Sequence, residues 1–302
     1  MKAAPFAYVR PGSLEETVAE LSRDGAKVLA GGQSLVPVLA MRLGRPSQLV
    51  DINAVPELDQ LTSRDGALRV GATVRQRRLQ NDDLSARVPL LRLALPWIGH
   101  REIRSRGTVC GSIAHADPSA ELPAVASCLE ATMVLTSARG RREVAAGDFF
   151  SGALSTAAEP DELLTEVSFP AAGPGEGFGF GEFARRHGDF ALAGVAVRVT
   201  AGDGDRPTAR ATCFGVSDVP VSADVSERLG AALDRTGAAP ARADLHRALG
   251  DLMEEVALDV VDTGGDSHAS PAYRRRLVAA LLAREIARAY ADATRSREGS
   301  TS

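Results

Sequence analysis

At 302 residues the chain is long enough for two domains, and 44% hydrophobic with 25% charged residues excludes a fibrous, collagen-like or wholly disordered protein. Thirty-five Lys and Arg against 39 Asp and Glu leave a formal net charge of −4, too balanced for a surface that binds nucleic acid by neutralising phosphates. One Trp, three Tyr and nine Phe leave the core to Ala, Val and Leu and offer few rings to stack on a base or a flavin.

Ser13-Leu14-Glu15-Glu16 reads as a capping box that opens a helix through about Leu21, ended by Asp24-Gly25. Lys27 to Ala30 is a short buried strand running into Gly31-Gly32, and Ser34 to Met41 has the composition of a helix. The order is therefore strand, glycine turn, helix. Leu49 to Ile52, Leu58 to Leu61 and Ala67 to Val70 are predicted strands, with Asp65-Gly66 as a hairpin turn and Thr73 as a cap for the next helix. Pro89 to His100 is apolar and helical in pattern, whereas basic Arg101 to Ser112 breaks all periodicity and predicts a loop. Pro118 and Ser119 start a helix through about Leu129, with strands at Ala131 to Thr136 and Leu163 to Phe169 beyond it. Ala171 to Gly181 is glycine-rich and reads as a linker leading into a strand. Phe190 to Thr200 and Thr208 to Val216 form an antiparallel hairpin about Gly202-Asp203-Gly204-Asp205. Three helices close the chain, at Val225 to Leu233, Arg242 to Val256 and Pro271 to Ala291; the last aligns Val278, Leu282, Ile286 and Tyr290 on one apolar face. Arg274-Arg275-Arg276 reads as a solvated helix start. Strands and helices that mix without strict alternation give an α+β class.

Cys110, Cys128 and Cys213 are odd in number and far apart, so they supply neither a disulfide framework nor an iron–sulfur or zinc ligand set. A cytoplasmic location is expected, without a signal peptide or membrane span. Two glycine loops carry the chemistry: Ala30-Gly31-Gly32-Gln33-Ser34-Leu35 and Gly107-Thr108-Val109-Cys110-Gly111-Ser112. A diphosphate needs several backbone N–H donors brought close with no Cβ in the way, which small residues before a helix supply. Neither loop fits the dinucleotide fingerprint or the P-loop, and Leu35 and Val36 stand where a nucleophile elbow needs its closing glycine. His115, Asp117 and Glu121 read as a metal site, as a capped helix start, or as carboxylates that accept hydrogen bonds from ligand hydroxyls; Pro118 disfavours the first.

Ala30 to Leu35, together with Arg106-Gly107-Thr108-Val109-Cys110-Gly111-Ser112-Ile113-Ala114-His115-Ala116-Asp117-Pro118-Ser119-Ala120-Glu121-Leu122-Pro123, resembles the FAD-binding medium subunit of the molybdenum hydroxylases. Asp161 to Val167 and Arg185-Arg186-His187-Gly188-Asp189-Phe190-Ala191 are further family-like landmarks, in the family's order. The resemblance implies a two-lobed α+β FAD-binding domain of the PCMH type at 1–173, with lobes at about 1–57 and 58–173. A smaller α+β domain with an antiparallel three-stranded sheet and helices follows at 178–292, then a flexible tail at 293–302.

FAD is the cofactor so implied. Val28, Leu29, Ala30, Gly31, Gly32, Gln33, Ser34 and Leu35, with Thr108, Val109, Cys110, Gly111 and Ser112, would hold its diphosphate between the lobes. Asp117 and Glu121 fall where the family contacts the ribityl and neighbouring hydroxyls, Ile98 and Leu164 where counterparts pack on the cofactor, and Arg185 to Asp189 where the second domain approaches the flavin ring. The chain departs from the pattern twice: Cys110-Gly111 replaces Gly-Gly, and Gly181 and Glu182 stand where a Lys commonly precedes the Arg-Arg pair. Cys110 is then a small buried side chain or a redox group. The implied function is an oxidoreductase subunit that passes electrons from an iron–sulfur small subunit through FAD to NAD, quinone or oxygen, with a molybdopterin large subunit oxidising the substrate. The alternatives are a stand-alone FAD-dependent oxidase or reductase and a scaffold with a vestigial pocket.

Overall fold

The structure is a computed structural model that describes residues 2–202, 206–237 and 240–300, and leaves Asp203 to Asp205 of the expected hairpin loop outside the described residues. In chain order the elements are β1 (Ala7–Val9), α1 (Leu14–Leu21), β2 (Ala26–Leu29), α2 (Leu35–Ala40), β3 (Gln48–Asp51), β4 (Leu61–Arg64), β5 (Ala67–Gly71), α3 (Gln76–Asn81), α4 (Pro89–Ala94), α5 (Arg101–Arg106), α6 (Val109–His115) and α7 (Glu121–Cys128). Then come β6 (Thr132–Ser137), β7 (Gly140–Ala145), α8 (Ala146–Phe149), the short pair β8 (Phe150–Gly152) and β9 (Ser155–Thr156), β10 (Leu163–Pro170), β11 (Glu176–Ala184), β12 (Ala191–Thr200), β13 (Thr208–Phe214), β14 (Val221–Asp224), α9 (Ser226–Thr236), α10 (Arg242–Val260) and α11 (Pro271–Ser300). Two compact units form: residues 1–87, 100–116 and 130–170 make the first, and residues 88–99, 117–129 and 171–302 the second, a grouping that no linear boundary expresses.

Among the described residues the first unit holds two larger sheets besides the two-stranded pair β8-β9. A parallel one has the order β1-β3-β2, and a five-stranded antiparallel one the order β4-β5-β10-β6-β7. Ser13 caps α1 by accepting from the Glu16 amide, while the Glu16 carboxylate accepts from Gly12 one residue further out than a capping box places it. Asp65 and Gly66 turn between β4 and β5 with φ of 54° and 71°, as the hairpin signal predicts. Three local expectations are corrected. The strand expected at Leu58 to Leu61 starts at Leu61, because Pro56 opens a 3-10 turn ending at Leu58. Thr73 caps nothing; Arg75 occupies the cap of α3 without a side-chain bond. The loop expected over Arg101 to Ser112 is two helices, α5 and α6, broken at Gly107 and Thr108.

The second unit is built on a four-stranded antiparallel sheet, β11-β12-β13-β14, one strand more than the three expected. One face carries α10 and α11 over Val195, Val197 and Val199, and the predicted α11 stripe of Val278, Leu282, Ile286 and Tyr290 is buried there. The helix continues to Ser300, past residue 293 where a tail is predicted. Gly177, Gly179 and Gly181 belong to β11 rather than to a linker: a Cβ on Gly177 or Gly179 would lie 2.0 Å and 2.5 Å from α11 carbonyl oxygens, so the glycine face lets helix and strand backbones touch. The alternate residues Phe178 and Phe180 bury on the other face, towards α4 and Phe214. Arg274 is not solvated: it is 5% exposed and donates to the Leu192 and Gly215 carbonyls and to Asp266.

Candidate functional site

Parallel pairing of β2 with β3 puts Leu29 beside Asp51, so the chain leaves both strands at the same sheet end. Ligands of α/β sheets bind at such carboxyl ends. The first glycine loop departs from β2 there and borders a cleft of about 340 Å³ lined by Ala30, Gly31, Gly32, Gln33, Asn53 and Arg106 among others. Among the described residues no acceptor meets the amide N–H groups of Gly31, Gly32, Gln33 and Ser34. Gly31 is buried against the second loop's leading edge: a Cβ there would lie 2.4 Å from the Arg106 carbonyl oxygen and 2.8 Å from Gly107 Cα.

A polar network fixes this contact. Asn53 Nδ2 donates to the Ala30 carbonyl at 2.9 Å and to Asp51, and Asn53 Oδ1 accepts from Arg75. Arg75 also donates to the Arg106 carbonyl, joining the two loops. Burial pushes the Asp51 carboxyl up, but hydrogen bonds from Tyr8 and Asn53 outweigh it and hold the group below its ordinary range. Burial, and then the charge of Arg106, lowers Arg75. The Arg106 side chain is exposed at the cleft, where it forms no ion pair among the described residues.

The second loop is built differently. Thr108 caps α6, its Oγ1 accepting from the Gly111 amide at 3.0 Å. The Val109 amide donates to Val74 and the Ser112 amide to the Thr108 carbonyl. These donors are spent inside the protein. Val109 and Cys110 are buried, and the Cys110 thiol donates to the Val70 carbonyl at 3.3 Å. Burial, then the charge of Glu166, pushes that thiol far above the range of a reactive cysteine. Cys110 is thus the small buried side chain of the two readings.

The other predicted residues fall as follows. Leu164 is 5% exposed on β10 of the first unit, and in the second unit Ile98 is 7% exposed after the turn at Trp97. Asp117 is half-buried and accepts from the Ser119 amide, while Glu121 is buried as the first residue of α7. Ala120, not Asp117, is the cap, and Pro118 precedes the helix. Arg185 and Asp189 are exposed in the β11–β12 turn, Arg185 lying 3.4 Å from His268. Asp161 and Glu162 of the third landmark are held by Arg139 and Arg142. No three His, Cys, Asp or Glu among the described residues are grouped to hold a metal ion. Asn53 and Arg106 were not predicted; the signals for them are a polar residue just beyond the strand parallel to β2 and an arginine immediately before the second loop.

Open amides next to a cationic side chain, on a loop whose Gly31 permits no Cβ, form a cradle that fits a diphosphate such as that of FAD. The comparisons with known proteins agree. Residues 4–172 match the FAD-binding domain of molybdopterin dehydrogenases and residues 178–289 the C-terminal domain of CO dehydrogenase flavoproteins. The chain belongs to this family of FAD-binding dehydrogenase subunits. It is 36% identical to caffeine dehydrogenase subunit beta of Pseudomonas sp. (strain CBB1), covering 96% of each chain, and 35% identical to the carbon monoxide dehydrogenase medium chain of Afipia carboxidovorans, covering 95% of this chain and 98% of that one. Reconstituted CO dehydrogenase from Oligotropha carboxidovorans superposes with a TM-score of 0.85 at 33% identity, over 97% of this chain and all of that one. The protein is accordingly an FAD-dependent oxidoreductase subunit of the molybdenum hydroxylase type. Among the described residues no helix is long and apolar enough to cross a membrane.

Proposed function

We propose that this chain carries the FAD of a dehydrogenase complex, taking electrons from an iron–sulfur small subunit while a molybdopterin large subunit oxidises the substrate. When bound, FAD would supply the redox chemistry that links the partner's clusters to NAD, a quinone or oxygen. The open amides of Gly31 to Ser34 beside Arg106 carry this reading. They hold the diphosphate, with Arg106 neutralising its charge and the Asn53–Arg75 network keeping the loop in place. Asp117 and Glu121 accept hydrogen bonds from the cofactor's hydroxyls; Ile98 and Leu164 supply apolar contact, and the Arg185 to Asp189 turn approaches the flavin. Val28, Leu29 and Leu35 position the loop from its flanking elements, and Thr108 to Ser112 support it from behind. Cys110, Cys128 and Cys213 are buried thiols outside any disulfide, which supports a partner as the source of cluster electrons and the cytoplasm as the compartment. The test is expression of the chain alone, reconstitution with FAD, and metal analysis of what co-purifies from the native host. Stoichiometric FAD with iron- and molybdenum-containing partners is expected; a chain that takes up no FAD contradicts the reading.

A further inference from the structure

Asp51 brings a carboxylate to the cleft beside the first glycine loop. It ends β3, and the parallel pairing sets it level with Leu29, the residue from which that loop departs. Its side chain is 12% exposed, enclosed by protein on most sides yet reaching the cleft. A carboxylate offers roughly four acceptor positions. Oδ1 accepts from the Asn53 amide at 2.9 Å and from Asn53 Nδ2, and Oδ2 accepts from the Tyr8 hydroxyl. Arg10 stands 3.9 Å from Oδ2, beyond hydrogen-bond reach, and its side chain is mostly in solvent. One acceptor position on Oδ2 is therefore open among the described residues. Burial disfavours the ionised form, but the bonds from Tyr8 and Asn53 outweigh it, so the group is a carboxylate at neutral pH.

A diphosphate by itself has no use for such a group. The amides of Gly31 to Ser34 and the Arg106 side chain favour negative charge, whereas Asp51 on the wall of the same cleft repels it and accepts from hydroxyl donors. A ligand that satisfies both ends carries hydroxyls close to its phosphates. Leu29, Val36 and Pro37 add an apolar wall to the cleft, and Val36 is exposed there. Phosphates, sugar hydroxyls and a flat base are combined in a nucleoside diphosphate. Dinucleotide-binding α/β folds divide the work in the same way, with the diphosphate on a glycine turn and an acidic residue on the ribose. The cleft volume of about 340 Å³ lies near the lower bound for ligand sites, which suits one half of FAD rather than the whole molecule. Adenine is the smaller of the two ring systems, so the ADP half is the better match.

We propose that Asp51 accepts a hydrogen bond from a ribose hydroxyl of the ADP half of the cofactor, so that the cleft reads the sugar as well as the phosphates. The inference rests on the FAD reading above and adds to it the half of the cofactor that this cleft takes and the side chain that recognises it. Tyr8 is then a positioning residue, whose hydroxyl holds Oδ2 in place from β1. Tyr8, Leu29, Asp51, Asn53 and Arg106 all belong to the first unit, so the site is complete within it.

The test uses the full cofactor-free chain, as wild type and as D51N, titrated calorimetrically with ADP, 2′,3′-dideoxy-ADP and FMN, with FAD as the control. Wild type is expected to bind ADP about tenfold more tightly than the dideoxy analogue, which lacks the hydroxyls that would bond to a charged acceptor. In D51N the two should differ by no more than about threefold, with ADP weakened and the analogue bound at least as tightly as by wild type. The wild-type comparison needs no variant and can overturn the inference by itself; D51S, which also lacks the charge, replaces D51N if that chain does not fold. Equal affinity of wild type for ADP and the analogue overturns the inference. So does a D51N chain that loses both alike, which makes Asp51 a brace for Asn53 and nothing more, and so does binding of FMN with ADP excluded. In each of these cases FAD is still taken up and the functional reading stands, whereas a wild-type chain that takes up neither FAD nor ADP overturns both.

Discussion

The two glycine loops of the first unit look alike in sequence and do opposite work. In the first, glycine brings the backbone against its neighbour at Gly31 and leaves four amides without internal acceptors at a cleft. In the second, Gly111 makes room for the Thr108 hydroxyl, and the amides of Val109, Gly111 and Ser112 all have acceptors inside the protein. A glycine-containing loop before a helix therefore marks a ligand cradle only when its donors are left over after the fold has taken its share. The second loop is what the first leans on.

Substitutions should separate the two roles. Gly31→Ala is the most severe, because its Cβ would meet backbone atoms that cannot rotate away; about 2–3 kcal/mol of stability and roughly 100-fold in FAD affinity should be lost, measured by urea unfolding and fluorescence titration. Arg106→Ala removes a cation and no packing, so FAD affinity should fall about tenfold, less so at high salt, with the melting temperature unchanged. Gly111→Ala strikes only the Thr108 side chain, at 2.5 Å; loss of that cap costs ~1 kcal/mol, and FAD affinity should change by no more than about threefold. Cys110→Ala should cost ~1 kcal/mol and leave FAD affinity and flavin reduction untouched, and the native thiol should resist labelling until the chain unfolds. Equal losses from Gly31→Ala and Gly111→Ala would erase the distinction between the loops.

Much of this was legible in the sequence where local chemistry decides the structure. Ser13 and Glu16 announce α1, Asp65-Gly66 announces its hairpin, and the spacing of Val278, Leu282, Ile286 and Tyr290 announces the buried face of α11. What escaped depends on partners distant in sequence. The run Gly177 to Gly181 is loop-like in composition, but its glycines are strand positions shaped by a helix more than 100 residues later. Strand β7 shows no apolar alternation because it is an exposed edge strand. Arg101 to Ser112 has no helical periodicity, since α5 buries none of its residues, yet it is two helices. The candidate site divides the same way: both loops were visible as motifs, but which of them keeps free donors, and that Asn53 and Arg106 join the first, follows only from the hydrogen bonds.

Residue-resolved amide hydrogen exchange, with and without FAD, tests this most directly. The amides of Gly31, Gly32, Gln33 and Ser34 should exchange freely in the cofactor-free chain and become protected when FAD binds, while those of Val109, Gly111 and Ser112 should be protected already and change little. Protection gained at Val109 to Ser112, with Gly31 to Ser34 unaffected, would contradict the assignment of the diphosphate to the first loop.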